Sequence, residues 1–238
     1  NIKDEYTDIN LETLNPHDFT ELEQLILHKI YSLNEKFKTF FYNYDFHNLY
    51  KELLNFCVVD LSAFYFDIRK DCLYCDPVNS NKRKSVVILL QILLNSLLKW
   101  FAPILSFTTE EIFRLIYKNQ KSIHLEKFTQ FPKKFNNPEL NKKWDKLKKI
   151  RDICNLSIEE KRAAKIIGSS LEASLTIKLN KEAMDLLKNI DLEELCIVSK
   201  INLEETNQDQ IIVETTKALG EKCSVCWKIS PTKCRRHL

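Results

Sequence analysis

Only two glycines, Gly168 and Gly220, occur among 238 residues. That scarcity constrains the fold more than any other feature. Loops that cradle nucleotide phosphates need glycines where the backbone must approach an anion, so Rossmann and P-loop architectures are nearly excluded at the outset. Abundant Leu, Lys and Asn point to long helices instead. With 44% hydrophobic and 29% charged residues, the chain is long enough to bury a substantial core.

Apolar residues at Phe19, Leu22, Ile26, Ile30, Leu33, Phe37, Phe40 and Tyr44 step by three and four, which predicts one long amphipathic helix with a single buried stripe. Asp45 can cap a second helix, in which Phe46, Leu49, Leu53, Phe56, Val59, Ala63 and Phe66 form the inward face. Ser80 can open a third helix. It is apolar nearly all round and therefore central, and Pro103 bends or ends it. Thr108 and Glu111 have the spacing of a capping box, predicting a fourth helix through Ile112, Leu115 and Ile116. Four helices with short connections make an antiparallel bundle to about Tyr117. Val86–Phe101 falls short of the roughly 20 apolar residues of a membrane span, so no membrane partner is expected.

A polar, basic stretch containing Pro132 and Pro138 reads as a surface linker, and helical character returns over Asn141–Ala164. After Gly168 the texture changes. Ala173–Leu179, Glu194–Ser199 and Gln210–Thr215 look like strands, with a short helix over Lys181–Asn189. The resulting fold class is mostly α: a helical bundle (1–125), a basic linker and helix (126–165), a small α+β module (166–216) and a terminal knuckle (217–238).

Charge is segregated along this plan. Between Lys118 and Arg151 eleven basic residues face three acidic ones, and from Lys217 onward six face one, while the whole chain carries only +3. Two basic zones on an acidic body suit an anionic partner, the alternative being a solvated Lys-rich surface.

The last twenty or so residues have too few apolar side chains to form a core. They carry Cys223-Ser-Val-Cys226 and Cys234-Arg-Arg-His237 instead. Two pairs of soft or borderline donors, seven residues apart, can close around one tetrahedral ion, and thiolates with an imidazole suit a structural Zn²⁺. The spacing matches no DNA-reading finger, so no DNA partner is expected. A second Cys-x-x-Cys, Cys72-Leu-Tyr-Cys75, has no partner pair and reads as a helix-end turn. Cys57, Cys154 and Cys196 sit in apolar patterns and read as core. Eight cysteines and an acidic, polar N-terminus without the features of a signal peptide fit the reducing cytoplasm. His17, His28, His47 and His124 are scattered as surface or helix-end residues, and no catalytic constellation is visible.

Tyr44-Asp-Phe-His-Asn-Leu-Tyr50 and Asn55-Phe-Cys-Val-Val-Asp-Leu-Ser-Ala-Phe-Tyr-Phe-Asp-Ile-Arg-Lys-Asp71 closely resemble the anticodon-binding bundle of isoleucyl-tRNA synthetases. Trp100-Phe-Ala-Pro-Ile-Leu-Ser-Phe-Thr-Thr-Glu-Glu-Ile112 resembles a segment shared with the valyl and leucyl enzymes. Lys165-Ile-Ile-Gly-Ser-Ser-Leu-Glu-Ala173 and Glu221-Lys-Cys-Ser-Val-Cys-Trp227 resemble the isoleucyl enzyme's C-terminal unit and its zinc motif. The chain departs from that pattern at Val225, where an Arg is usual, at His237, where a Cys is usual, and in a shorter loop between the pairs.

The resemblance implies the tRNA-recognition part of a monomeric, cytoplasmic isoleucine–tRNA ligase, with one structural zinc. ATP would bind only in the catalytic part, whose signatures are absent and would lie upstream of Asn1. Arg69, Lys70, Tyr74, Lys82, Arg83, Trp227, Arg235 and Arg236 are the residues expected at the RNA, joined by Lys142 and Lys143 from the basic zone. Trp144 is a weaker candidate, since a Trp on a helix is usually packed. The alternatives are a valyl or leucyl relative, or a free-standing RNA-binding module of bundle and knuckle.

Overall fold

A computed structural model describes residues 9–118, 121–234, 236 and 237. These described residues fall into two compact units, one within 9–73 and 77–138, the other within Tyr74–Asp76 and 139–237.

The first unit is a bundle of α1 (Glu21–Tyr42), α2 (Phe46–Asn55), a π-helical segment (Phe56–Phe66), α3 (Asp67–Cys75), α4 (Asn81–Phe101) and α5 (Ser106–Ile116). Two of the three expected caps form: Asp45 accepts from the Asn48 N–H and Ser80 from the Arg83 N–H. The α1 stripe is buried at Leu22, Ile26, Ile30 and Phe37, but it ends before Tyr44, which lies exposed in a left-handed turn (φ 57°). On the next helix the expected face holds through Phe56 and then fails, because Val59 and Phe66 are exposed while Leu61, Phe64, Tyr65 and Ile68 are buried. The π winding explains the slip. Its i→i+5 bonds turn the chain less per residue than an α-helix, so the buried face moves off the 3.6 period.

Helix α4 is central. It has the length and apolarity of a membrane span, but 56% of its most apolar stretch is buried among its neighbours. Trp100 packs edge-on to Phe37 (centroids 5.1 Å apart) and donates through Nε1 to Asn34 Oδ1 (3.1 Å), while Asn34 Nδ2 donates to the Thr129 carbonyl (2.8 Å). A buried amide thus ties α1, α4 and the stretch after α5 together, with its hydrogen bonds made. Helix α5 begins at Ser106, two residues before the expected capping box, and has no side-chain cap. Glu110 instead accepts from Ser122 Oγ (2.8 Å) and the Ile123 N–H (3.0 Å), which clips the following turn to the helix. His28 also departs from expectation. It is buried, with Nδ1 accepting from the Asn137 N–H (3.0 Å), and burial lowers its pKa.

The second unit opens on α6 (Pro138–Ala163), which buries Leu140, Trp144, Leu147, Ile150, Cys154 and Ile158 at helical spacing. Strand β1 (Ala173–Leu179) alternates buried and half-buried residues and is the middle strand of three. After α7 (Lys181–Leu186) and α8 (Leu192–Leu195), β2 (Lys200–Glu205) pairs parallel to β1 with Leu175 opposite Ile201. On the other side β3 (Ile212–Lys217) pairs antiparallel, with Ile177 opposite Val213. The strand expected over Glu194–Ser199 is therefore displaced. Asp191 accepts from the Glu194 N–H and caps α8 there, so extended structure starts only at Lys200. Arg151 Nε donates to the Leu195 carbonyl (2.8 Å), and the Ser157 and Thr215 hydroxyls meet at 2.7 Å, fixing α6 to this module.

Gly220 introduces the final hairpin of β4 (Glu221–Lys222) and β5 (Ile229–Ser230) at φ 124°, where a Cβ would lie 2.1 Å from the Ser230 carbonyl oxygen. Only glycine fits a backbone in that region at so close an approach.

Candidate metal centre and surrounding surface

The β4–β5 hairpin (Glu221 opposite Ser230) holds the first cysteine pair in its turn. Within it the Trp227 N–H bonds to the Cys223 carbonyl (3.0 Å) and the Cys223 N–H to the Lys228 carbonyl (2.9 Å), with Trp227 itself left-handed at φ 64°. This knuckle brings Cys223 and Cys226 to one side, and the turn after Pro231 returns Cys234 and His237 to them. The four ligand atoms all lie within 4.8 Å of one another.

Their spacing tests whether zinc fits. Zn–S bonds of about 2.3 Å and a Zn–N bond of about 2.0–2.1 Å in a tetrahedron require edges of about 3.8 Å between sulfurs and about 3.6 Å from sulfur to nitrogen. Cys226 Sγ and Cys234 Sγ are 3.8 Å apart, and His237 Nδ1 is 3.6 Å from Cys223 Sγ and 3.5 Å from Cys234 Sγ. The donor set fits.

The thiols are unequal. Backbone N–H groups of Cys226 and Val225 aim at Cys223 and hold its thiol down to about 6, whereas burial pushes Cys226 up to about 11. A thiolate is thus available at Cys223 near neutral pH, and a cation must displace the proton of Cys226.

Around the centre, Trp227 is 59% exposed with Lys222 Nζ 5.2 Å from its ring centroid, a cation–π pair that sequence spacing did not suggest. Tyr74 is 86% exposed. Arg236 is paired with Asp76 (2.5 Å). Arg235 lies outside the described residues. Lys142 is exposed beside Glu139 (2.9 Å), Lys143 is half-buried, and Trp144 between them and the core is 3% exposed, so it is a packing residue.

In the first unit two expected contacts are corrected. Arg69 is 2% exposed, with Nε 2.6 Å and Nη2 2.9 Å from the Glu23 carboxylate, which also accepts from Tyr65 OH (3.2 Å). Arg83 is likewise buried, donating from Nε to the Leu73 carbonyl (3.4 Å). Both guanidiniums face inward, since a helix position adjoining a core can bury a cation once a carboxylate or carbonyl meets it. Lys70 is exposed and paired with Asp67 (2.7 Å), and Lys82 is half-buried. Cys72 is buried. Cys57 is only half-buried, whereas Cys154 and Cys196 are core as expected.

Residues 23–177 match the family described as the anticodon-binding domain of tRNA ligase. The chain belongs to that family. Among curated relatives it is 61% identical to the isoleucine–tRNA ligase of Pelagibacter ubique over 237 residues, covering 100% of this chain and 26% of that protein. It is 38% identical to that of Bradyrhizobium diazoefficiens (90% of this chain, 23% of that protein) and 36% identical to that of Bartonella henselae (87% and 23%). The match is to the C-terminal part of the ligase. The chain spans about a quarter of the length of the curated relatives it matches.

Within this family context the isoleucyl rather than valyl or leucyl resemblance agrees with the relatives, and the cysteine–histidine cluster is a potential metal site. The outer contacts of that cluster, at Cys75 and Asp76, had no signal in the sequence, because they lie about 160 positions away from Arg236 and His237.

Proposed function

We propose that this chain recognises the anticodon arm of isoleucine tRNA as part of a cytoplasmic isoleucine–tRNA ligase, the ATP-dependent enzyme that attaches isoleucine to its tRNA. The observation that carries this reading is 61% identity to such a ligase along the entire chain, knuckle included. Recognition works by two means. Unpaired anticodon bases stack on exposed aromatics, for which Trp227 and Tyr74 are the candidates, while lysines hold the phosphodiester backbone. Lys70, Lys82, Lys142, Lys143 and Arg236 are the proposed cations. Arg235 keeps that role by its place in the motif. Arg69 and Arg83 do not, because both are buried.

A single Zn²⁺ held by Cys223, Cys226, Cys234 and His237 stabilises the tail that carries Trp227, and it supplies folding energy rather than chemistry. The partition into bundle (1–125), linker and helix (126–165), α+β module (166–216) and knuckle (217–238) is the proposed functional division. The enzyme acts as a monomer on RNA, not on DNA or membranes. Adenylation belongs to the catalytic part, so this chain alone is expected to give no isoleucine-dependent ATP–pyrophosphate exchange.

Fluorescence titration against the isoleucine anticodon arm and an arm with its anticodon swapped tests the reading. Tighter binding of the cognate arm is expected. Equal affinity for both arms would remove the recognition role.

A further inference from the structure

The donor His237 sits where the zinc motif of the resembling enzymes more often has a thiolate, and an imidazole must be aimed in a way that a thiolate need not be. Two consecutive residues at the end of α3 meet both halves of the metal centre. The Cys75 carbonyl lies 3.0 Å from His237 Nε2, Asp76 Oδ1 lies 2.5 Å from Arg236 Nε, and Cys75 Sγ lies 3.7 Å from the Val225 carbonyl of the first knuckle. These three residues, Tyr74–Asp76, belong to the same compact unit as the knuckle.

A carbonyl only accepts, so His237 Nε2 carries the hydrogen. The neutral ring then has its lone pair on Nδ1, the atom 3.5–3.6 Å from Cys234 Sγ and Cys223 Sγ. The Asp76 carboxylate, with its side chain only 11% exposed, grips the residue immediately before that histidine.

We propose that the Cys75–Asp76 turn is the outer shell of this metal centre: the Cys75 carbonyl fixes the Nδ1-ligating tautomer of His237, and Asp76 holds the second knuckle in place through Arg236. The inference rests on the zinc reading above. Outer-shell partners of this kind orient a metal-bound imidazole, and losing one typically lowers metal affinity about 10–100-fold. Asp76 and Arg236 are positioning residues, acting through His237 and not on the ion.

The test is zinc affinity of the full chain, by competition with a chromogenic chelator, for wild type, Arg236→Ala, Asp76→Ala, Arg236→Lys and the double alanine variant, with bundle integrity followed by circular dichroism. Positioning predicts about a 10–100-fold loss for either alanine variant and no greater loss for the double variant. Simple electrostatics predicts the opposite sign for Arg236→Ala, because removing a cation favours a bound dication. It also predicts recovery in the charge-neutral double variant. Arg236→Lys keeps the charge but not the fork, so positioning predicts a partial loss and electrostatics none.

Nitrogen-15 spectra of the zinc-loaded, histidine-labelled chain should show His237, assigned by its disappearance in His237→Gln, protonated at Nε2 and metal-bound at Nδ1. Unchanged or tighter zinc binding in Arg236→Ala, or a histidine bound through Nε2, overturns the proposal. Absence of zinc from the wild type, or its retention in Cys226→Ser, strikes instead at the metal reading on which the proposal rests.

Discussion

Helix α3 and the C-terminal tail carry the same vocabulary, a Cys-x-x-Cys and exposed-looking arginines, and use it in opposite ways. On α3 the spacing falls on a helix. Cys72 goes fully into the bundle core, and Arg69 follows it inward to Glu23. In the tail the spacing falls on a tight hairpin turn with a left-handed Trp227, so both sulfurs converge. What separates them is the surroundings: α3 and the π-helical segment leading into it bury Leu61, Phe64 and Ile68, whereas the tail has only Cys226 and Ala218 buried among its described residues. Where apolar packing is abundant it captures cysteine and even arginine as core. Where it is scarce, donors must be held by something other than packing.

The sharpest way to break this contrast is to remove one sulfur from each region. Cys226→Ser is expected to take bound zinc from one per chain to none and to unravel the tail, because metal binding in comparable small sites is worth on the order of 10–16 kcal/mol. Cys72→Ser should leave zinc content unchanged. Elemental analysis of the two purified variants decides; equal zinc in both would erase the distinction.

A parallel pair of arginine substitutions separates an ion pair in the bundle core from one in the tail. Arg69→Leu leaves the Glu23 carboxylate buried without its main cation, so stability should fall by about 3–5 kcal/mol in urea denaturation, with zinc content unaffected. Arg236→Ala should leave the urea midpoint of the bundle nearly unmoved. If Arg69→Leu instead lost RNA affinity at full stability, the inward orientation of that guanidinium would be wrong.

The same contrast explains what was legible in the sequence. Local signals survived: the Asp45 and Ser80 caps and the alternation of β1 depend on neighbours within a few residues, and the four donors of the tail lie within fifteen. Expectations failed where distant partners decided. Arg69 was expected at the surface because its acceptor, Glu23, is 46 residues away. The capping box at Thr108 and Glu111 lost to a helix begun at Ser106, and nothing in the apolar spacing announced the π winding that redirects Val59 and Phe66. Strand β2 is mostly exposed and polar, so it shows no alternation to read; its pairing with β1 defines it.

Tryptophans offer the next comparison. Trp100 and Trp144 are core, whereas Trp227 is exposed on the knuckle. Trp227→Ala is therefore expected to cost about 1–3 kcal/mol of binding to the cognate anticodon arm while zinc is retained, the value of one stacked base. Parallel titrations of cognate and swapped arms, with zinc measured in each sample, distinguish stacking from a cover over the metal. Loss of affinity that tracks loss of zinc would assign Trp227 to the metal site alone.

The smallest effect belongs to charge displayed on a helix rather than gathered in the tail. Lys142, Lys143, Lys146 and Lys148 lie on α6, on the residues flanking the buried Trp144 and Leu147. Lys142 and Lys146 are largely exposed, but each already has a carboxylate at 2.9–3.0 Å, Glu139 and Glu182 respectively. Exposed pairs of this kind contribute little and exchange readily with solvent ions, so both lysines remain available to a phosphate at modest cost. Neutralising all four should weaken cognate and swapped arms alike, because phosphate contacts carry no sequence information. Each contact truly lost should flatten the log–log salt dependence by roughly 0.7–0.9, the upper figure applying to duplex stem and the lower to single-stranded loop. Binding isotherms at several salt concentrations measure the slope. A change near zero would mean that α6 faces away from the RNA and that backbone contacts lie elsewhere; a change confined to the cognate arm would show that these lysines read the anticodon rather than the backbone.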